Sequence, residues 1–544
     1  MDQSTSWYHP APDHDTNIAE REAAVEIPED KPTLTYEALS YIWGAEEDPL
    51  EVLIRMAASP EDEDVGEVLI EVPAMEGPPH YCKLHVRRNL ESSLRHLRYV
   101  DKKRTLWIDA ICINQADVVE RSEQVARMKD VFKLAERVMI WIGPSTEDSR
   151  LAVRTLEYLG HQVVHSKART RAPAPDAAEK SWYQATTILP YDGHTWKAIQ
   201  DLLERPWFQR LWVVQEAHLA RKGLFLCGND ELDWLTFRYA LLVLWYNKAS
   251  MAHWPSTLRI LGVLVESLPE KHPISDLFAQ VFGRACTDSR DRVYGIHGLF
   301  PRSFQKLVPI DYSLPAAEVY ENTTRAHIIY TKRLEVLRFC HPDRVLAKEL
   351  PSWVPDLSSQ HKMSRRLDTQ FSAGFSAAKV NFDIENHVLK ATGVYCATVT
   401  VVQGPMLEKT GSLESIRTVR AWEPADLDTG IYPTGESVRD AYATVLNGNW
   451  LQDRMPERIY DDWLKDWRLQ DSHTALFGER ARENLQEGAA PSGLEIFALS
   501  LLPKRTFLTT SEGYFGLGPP QARSGENFMF CLFTEANSCT QVIS

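Results

Sequence analysis

The chain of 544 residues has no stretch approaching the roughly 18 apolar positions that a membrane-spanning helix requires, so no membrane span is expected. Its first residues, MDQSTSWYHPAPDHD, carry neither a basic head nor an apolar run, and no secretory leader is expected either. Cysteine is scarce. The eight are Cys82, Cys112, Cys227, Cys286, Cys340, Cys396, Cys531 and Cys539, none in a C-x-x-C pair and none at a Cys/His spacing that fits zinc. That argues against a resident metal and for a reduced, cytoplasmic protein. Positive charge is in deficit: 60 Lys and Arg face 75 Asp and Glu, for a net charge of −15, which argues against a nucleic-acid partner. The basic spots Arg87-Arg88 and Lys102-Lys103-Arg104 are short and read as solvated surface. G-x-G-x-x-G, G-x-x-x-x-G-K-[ST] and G-x-S-x-G are also missing, so no Rossmann-held cofactor, P-loop or serine-hydrolase elbow is expected.

What is present is enough apolar content, 44%, for a sizeable core, in a chain too long for one. The expected divisions are a loose acidic lead-in at 1–30, an α/β domain at 31–230, a mainly helical region at 231–360 and a mixed α/β region at 361–544. Residues 104–143 are the most informative. Two strand-like apolar runs, 105–113 and 137–142, bracket an amphipathic helix expected over 118–136. Val125, Met128, Phe132 and Ala135 recur at helical spacing on one of its faces. Strand, helix, strand in about forty residues is a crossover unit and implies parallel strands. Asp109, Asn114, Gln115 and Asp117 fall at or just past the end of the first strand, where open α/β sheets bind ligands.

Further strands are expected at 36–43 and 223–227, with helices near 88–98, 149–159 and 206–219 around the sheet. The stretch 51–86 reads as a hairpin, 165–195 as a surface loop, and 235–246, 256–267 and 319–330 as helices. Strand-like alternation runs over 376–405, and short β runs over 506–533.

Three separated blocks, YEALSYIWG (36–44), LWIDAICINQADVVERSEQVARMKDVFKLAERVMIWIG (106–143) and RPWFQRLWVVQE (205–216), closely resemble those of the fungal heterokaryon-incompatibility, or HET, domain. DRVYGIHGL (291–299), DYSLPAAEVY (311–320), LPSWVPDLS (350–358) and GYFGLGPPQARSGE (513–526) resemble later parts of full-length members, so the likeness runs from about 34 to 530. The sequence departs from the family at His297, where an apolar residue is usual. It departs again after Cys531, where the family's final apolar strand is not evident. The resemblance implies a role in self/non-self recognition and regulated cell death. It also implies a distant likeness to TIR domains, hence a TIR/flavodoxin-like, mainly parallel sheet flanked by helices, followed by helical and mixed α+β regions.

Some TIR domains cleave NAD at the nicotinamide–ribose bond with one glutamate in a W-C-x-x-E-like pattern. The comparable pattern here is Trp212-Val213-Val214-Gln215-Glu216, which makes Glu216 the implied catalytic residue. By motif order Ser40, Tyr41, Trp43 and Gly44 would line the same site, with Trp43 or Trp212 stacking on a flat ring and Asp109, Asn114 and Gln115 adding hydrogen bonds. NAD would then be substrate and no cofactor is implied. Cleavage builds positive charge on the ribose, which a carboxylate stabilises, and nicotinamide leaves without a general acid.

Plainer readings stand beside these. Glu216 pairs equally well with Arg210 or Arg205; Trp43, Trp107, Trp141 and Trp212 suit a core; Asp109 suits a cap or turn. Glu120 and Arg121 suit a solvated or ion-paired helix face, and Gly44 a turn. Cys112 is an alternative nucleophile if a histidine such as His85, His218 or His297 lies beside it. The functions in view are an incompatibility effector that cleaves NAD, a non-enzymatic module that signals by self-association as a homo-oligomer, and a HET-like enzyme acting on a small secondary metabolite. The partner is accordingly a small nucleotide or metabolite, or a second copy of the chain.

Overall fold

The computed structural model describes residues 35–44, 49–55, 69–71, 81–99, 101–165, 171–184, 187–247, 264, 274–340, 346, 349–359, 377–407, 412–446, 502, 505–530 and 539–543. The lead-in 1–30 and all but Leu264 of the helix expected at 256–267 lie outside them.

The strands of the first half are β1 (Glu37–Ser40), β2 (Leu50–Arg55), β3 (Leu69–Glu71), β4 (Tyr81–Val86), β5 (Leu106–Trp107), β6 (Arg137–Trp141), β7 (Val163–His165), β8 (Arg171–Pro173), β9 (Gly223–Cys227) and β10 (Asp230–Asp233). Five form one sheet in the order β10-β9-β6-β1-β5. β1 pairs in parallel with β5 and β6, and β6 with β9, whereas β10 returns antiparallel along β9. Numbered by chain order within this sheet, the strands lie 2-1-3-4-5, so the direction of winding reverses at β1.

All four residues of β1 are buried, as a central strand covered on both faces requires. Alternation then sorts its neighbours. Ala38, Val138 and Ile140 face a large core shared with Phe132, Phe208, Phe225 and Phe237. Leu39, Met139 and Trp141 face a smaller one with Val52, Leu90 and Leu97. The smaller core is roofed by the helix Arg88–Leu97 and by the antiparallel sheet β3-β2-β4, the outcome of the expected hairpin at 51–86. The helix Val118–Leu134 buries Val125, Met128 and Phe132, with Ala135 just beyond its end, on the face that their spacing predicts. Asp117 caps it, accepting from the amides of Val119 (2.9 Å) and Glu120 (3.1 Å).

Three expectations change. The apolar run 105–113 is strand only at Leu106–Trp107 and turns into a short helix at Asp109–Cys112. A short apolar run fits either state, and here the Asp109 carboxylate accepts the Ala110 amide (2.7 Å) while Cys112 N bonds Ile108 O (2.8 Å). The loop expected at 165–195 contains β7 paired with β8 and the start of the helix Gly193–Leu203, which Asp192 caps. The helix expected at 206–219 is broken into a 3-10 turn, Pro206–Gln209, and a helix, Val213–Leu219. Between them Ala285 pairs with the chain: Ala285 N bonds Gln209 O (2.7 Å) and Leu211 N bonds Ala285 O (2.9 Å).

Helices Glu147–His161 and Trp234–Tyr246 cross closely at Gly160, where a Cβ would lie 2.1 Å from the Thr236 carbonyl oxygen. The large core continues unbroken through Tyr294, Tyr320 and Trp353 to Leu389, so the central sheet and the helical region share it. Beyond it β11 (Val380–Asp383), β12 (Val388–Val402), β13 (Thr506–Thr510), β14 (Phe515–Gly518), β15 (Asn527–Phe530) and β16 (Cys539–Ile543) form an antiparallel sheet around the long β12. A separate core containing Trp422, Tyr442 and Phe507 lies against it. The chain therefore does have a strand after Cys531: β16 pairs with β12 from Leu389 to Gly393, an addition that its five-residue sequence did not advertise.

Candidate functional site

β1 delivers Ser40 at its carboxyl end, on the same face as the helix Val213–Leu219. That helix is held to the core by Val213, Val214 and Ala217, and the packing turns Glu216 toward the strand. The Ser40 hydroxyl donates to Glu216 Oε2, and the Trp207 indole N–H donates to the Ser40 oxygen at 2.9 Å. Glu216 is 3% exposed, and Ser40 and Trp207 are buried with it. Arg210, in the extended break before the helix, places Nη1 4.0 Å from Glu216 Oε2 and donates to the Tyr41 carbonyl. Arg205 is engaged elsewhere, donating to the carbonyls of Pro144 (2.9 Å) and Ile142 (3.4 Å).

The second carboxylate belongs to Asp109, just past β5. Its Oδ2 accepts the Trp43 indole N–H at 2.9 Å. Burial pushes the Glu216 carboxyl above the ordinary range; Arg210 and Ser40 oppose that rise, and the negative charge of Asp109 adds to it. Desolvation likewise raises Asp109 against the pull of Arg210, Trp43 and the Ala110 amide. The buried Tyr41 phenol is pushed far up, chiefly by burial. Glu216, Asp109, Tyr41 and Arg210 thus form one cluster, in which burial raises both carboxyls and Arg210 opposes the rise.

Ser40, Tyr41, Trp43, Asp109 and Glu216 are therefore brought together. Gly44 lies at the exit of the same strand with φ +78°, its carbonyl accepting from Arg87 Nη1 at 2.8 Å, while Arg87 lies over the Trp43 ring. Asn114 and Gln115 shape the turn beside it. Asn114 Oδ1 accepts the Ala116 amide (3.2 Å), and Gln115 Nε2 reaches the Asp109 carbonyl (3.2 Å). The Trp212 indole points the other way and donates to Asp291 Oδ2 at 3.0 Å. The Cys112 thiol lies 3.5 Å from the Ile108 amide and is raised by desolvation. His297 is turned to the Val308 carbonyl (2.8 Å), and His85 lies 3.7 Å from Glu51. Trp207 carried no reading in the sequence, although it stands in the third block with Glu216, whereas Arg210 is the partner that the plainer reading of Glu216 named. Among the described residues, no cluster of three or more His, Cys, Asp or Glu could hold a metal ion, and no helix is long and apolar enough to cross a membrane.

The fold is an α/β sheet with a buried carboxylate at the carboxyl end of a parallel strand, where the winding reverses, the position at which open α/β sheets generally bind ligands. Residues 36–216 match the family described as Heterokaryon incompatibility protein (HET), and Ser40 and Glu216 both fall inside the match. Residues 36–216 of the chain are thus a HET-domain region. It is similar to "Heterokaryon incompatibility protein 6, OR allele" of Neurospora crassa, at 26% identity over 63% of this chain and 56% of the relative. The chain thus spans little more than half the length of that relative. No solved structure matches it.

Proposed function

We propose that this protein acts in fungal incompatibility as a HET-domain effector that cleaves NAD at the nicotinamide–ribose bond, with Glu216 as the catalytic carboxylate. The name of the Neurospora crassa relative supports the incompatibility role. The 2-1-3-4-5 strand order supports a TIR/flavodoxin-like reading of the domain, although the fifth strand runs antiparallel. The observation that carries the chemistry is the Ser40–Glu216 hydrogen bond, which joins the third sequence block to the carboxyl end of β1.

In this reading the bond from ribose C1′ to the pyridinium nitrogen breaks and its electron pair goes to nicotinamide, which leaves neutral. Glu216 stabilises the ribosyl oxocarbenium that remains. Water then adds at C1′ and loses a proton, giving ADP-ribose. Burial holds the Glu216 carboxyl up, and the cationic nicotinamide ring itself supplies charge that favours its ionised form. Ser40, fixed by Trp207, aims the carboxylate, and Arg210 limits how far burial raises it.

The test is release of free nicotinamide from NAD by wild-type protein and by Glu216→Gln. A fall of about 100-fold or more is expected on losing the single charge-stabilising group. An undiminished rate removes Glu216 from the mechanism. The near-complete burial of Glu216 favours a second reading, in which the carboxylate is structural and the module signals by self-association. Concentration-dependent assembly without turnover would support that reading.

A further inference from the structure

The segment that carries Arg210, Trp212 and Glu216 is held from outside the family match. Arg284, buried, spans the carbonyls of Phe208 (3.0 Å) and Arg210 (3.1 Å), and Ala285 pairs with Gln209 and Leu211. Gly298 N donates to Gln215 Oε1 at 2.7 Å. Asp291 stands at the centre of these contacts. Its Oδ2 accepts the Trp212 indole N–H (3.0 Å) and its Oδ1 accepts the Tyr312 hydroxyl (2.5 Å). Tyr312 is anchored in turn to the helix Val118–Leu134: the Arg121 guanidinium lies 3.6 Å over its ring, and its amide donates to Ser122 Oγ at 3.0 Å. Arg121 and Arg290 both pair with Asp288, at 2.7 and 2.8 Å.

Trp212 immediately precedes Val213, the start of the seven-residue helix, and lends that end no side-chain cap. A helix this short does not hold its own geometry, so tertiary contacts set its pitch. We propose that Asp291 is a positioning residue for Glu216: by clamping the Trp212 indole it fixes the short helix at the pitch that brings Glu216 onto Ser40. The role rests on the reading of Glu216 given above. It extends the working unit of the domain past residue 216, to a segment that the family match leaves out. Burial pushes the Asp291 carboxyl up to about 6 against the pull of its Tyr312 and Trp212 donors. A carboxyl kept in so unfavourable a place is consistent with work done through its acceptors.

The experiment uses the full chain as wild type, Asp291→Ala, Trp212→Phe and the double variant. Glu216 titration is read by infrared difference spectroscopy against Glu216→Gln, and nicotinamide release from NAD is measured alongside. Each single variant should move the Glu216 midpoint by about half a pH unit or more. Turnover should fall about 10- to 100-fold, and the double variant should be no worse than the worse single one, because both act through one contact. A folded Asp291→Ala protein with an unmoved Glu216 midpoint, or losses that add in the double variant, overturns the proposal. If Asp291→Ala does not fold, Trp212→Phe alone decides by the same midpoint. If wild type releases no nicotinamide, the NAD reading fails, and the infrared titration still decides whether Asp291 positions Glu216.

Discussion

The first strand of the central sheet has a buried glutamate at each end, one its own and one brought to it, and the two are held in opposite ways. Glu37, 7% exposed at the amino end, takes Arg104 on one carboxylate oxygen and Arg137 on the other. Burial pushes it up, but the two guanidinium groups outweigh that and hold it below the ordinary range. Each arginine is itself tied down, Arg104 to the Leu97 carbonyl (2.5 Å) and Arg137 to the Tyr99 hydroxyl (2.9 Å). Glu216 at the carboxyl end has a neutral hydroxyl and one arginine at 4.0 Å that is already donating to Tyr41. Its carboxyl is therefore raised. Two paired guanidinium groups thus hold one carboxyl low, while deeper burial beside a single, more distant arginine leaves the other raised. The second condition is the one that chemistry uses.

The widest separation between the two ends should come from neutralising each. Glu37→Gln takes the shared anion from two partly buried arginines and should cost about 2–3 kcal/mol, below the range for a fully buried pair because Arg137 is partly solvated, read as a lower urea midpoint at unchanged slope. Glu216→Gln at neutral pH should cost less than about 1 kcal/mol, because the replacement still accepts from Ser40 and removes a desolvated charge. An equal loss at both positions would erase the distinction. Ser40→Ala should cost about 2 kcal/mol by leaving the Trp207 N–H unpaired, and should raise the Glu216 midpoint further.

Next in size is the pH dependence, whose sign differs between the ends. Glu37 is lowered in the fold, so its contribution is present above the ordinary glutamate range and fades as pH falls through its folded value. The advantage of wild type over Glu37→Gln should widen with rising pH. Glu216 is raised, so its contribution is present below the ordinary range and is lost as pH rises through its folded value. Wild type should lose ground to Glu216→Gln as pH rises. Urea midpoints from about pH 4 to about pH 8 check both slopes. The smallest effect serves as the control. Asp117→Ala removes a helix cap distant from both ends and should cost about 1 kcal/mol, with the Glu216 midpoint unmoved.

Much of the frame was legible in advance. The three-four-three spacing of Val125, Met128, Phe132 and Ala135 marked a buried helix face, and the apolar runs before and after it marked parallel strands. The run at 105–113 misled because apolarity alone does not separate a strand from a helical turn, and a local carboxylate–amide bond decided it. The break at Arg210 was invisible for a different reason: it is imposed by Ala285, some seventy residues away, and no local signal announces a distant partner. Strand β16 is only five residues, CTQVI, too short for its alternation to mark it, and its backbone pairing with β12 about 150 residues earlier has no local signal.

By itself the sequence determined which segments alternate, which faces are apolar and which three blocks belong to a HET domain, because periodicity and motif order are local properties. Only the tertiary structure decided that Ser40, Glu216, Arg210 and Asp109 meet, and that one arginine serves the carboxylates there while two serve Glu37. The physical reason is that the charge state of a buried carboxyl depends on the desolvation and the few donors around it, and chain folding alone assembles those neighbours.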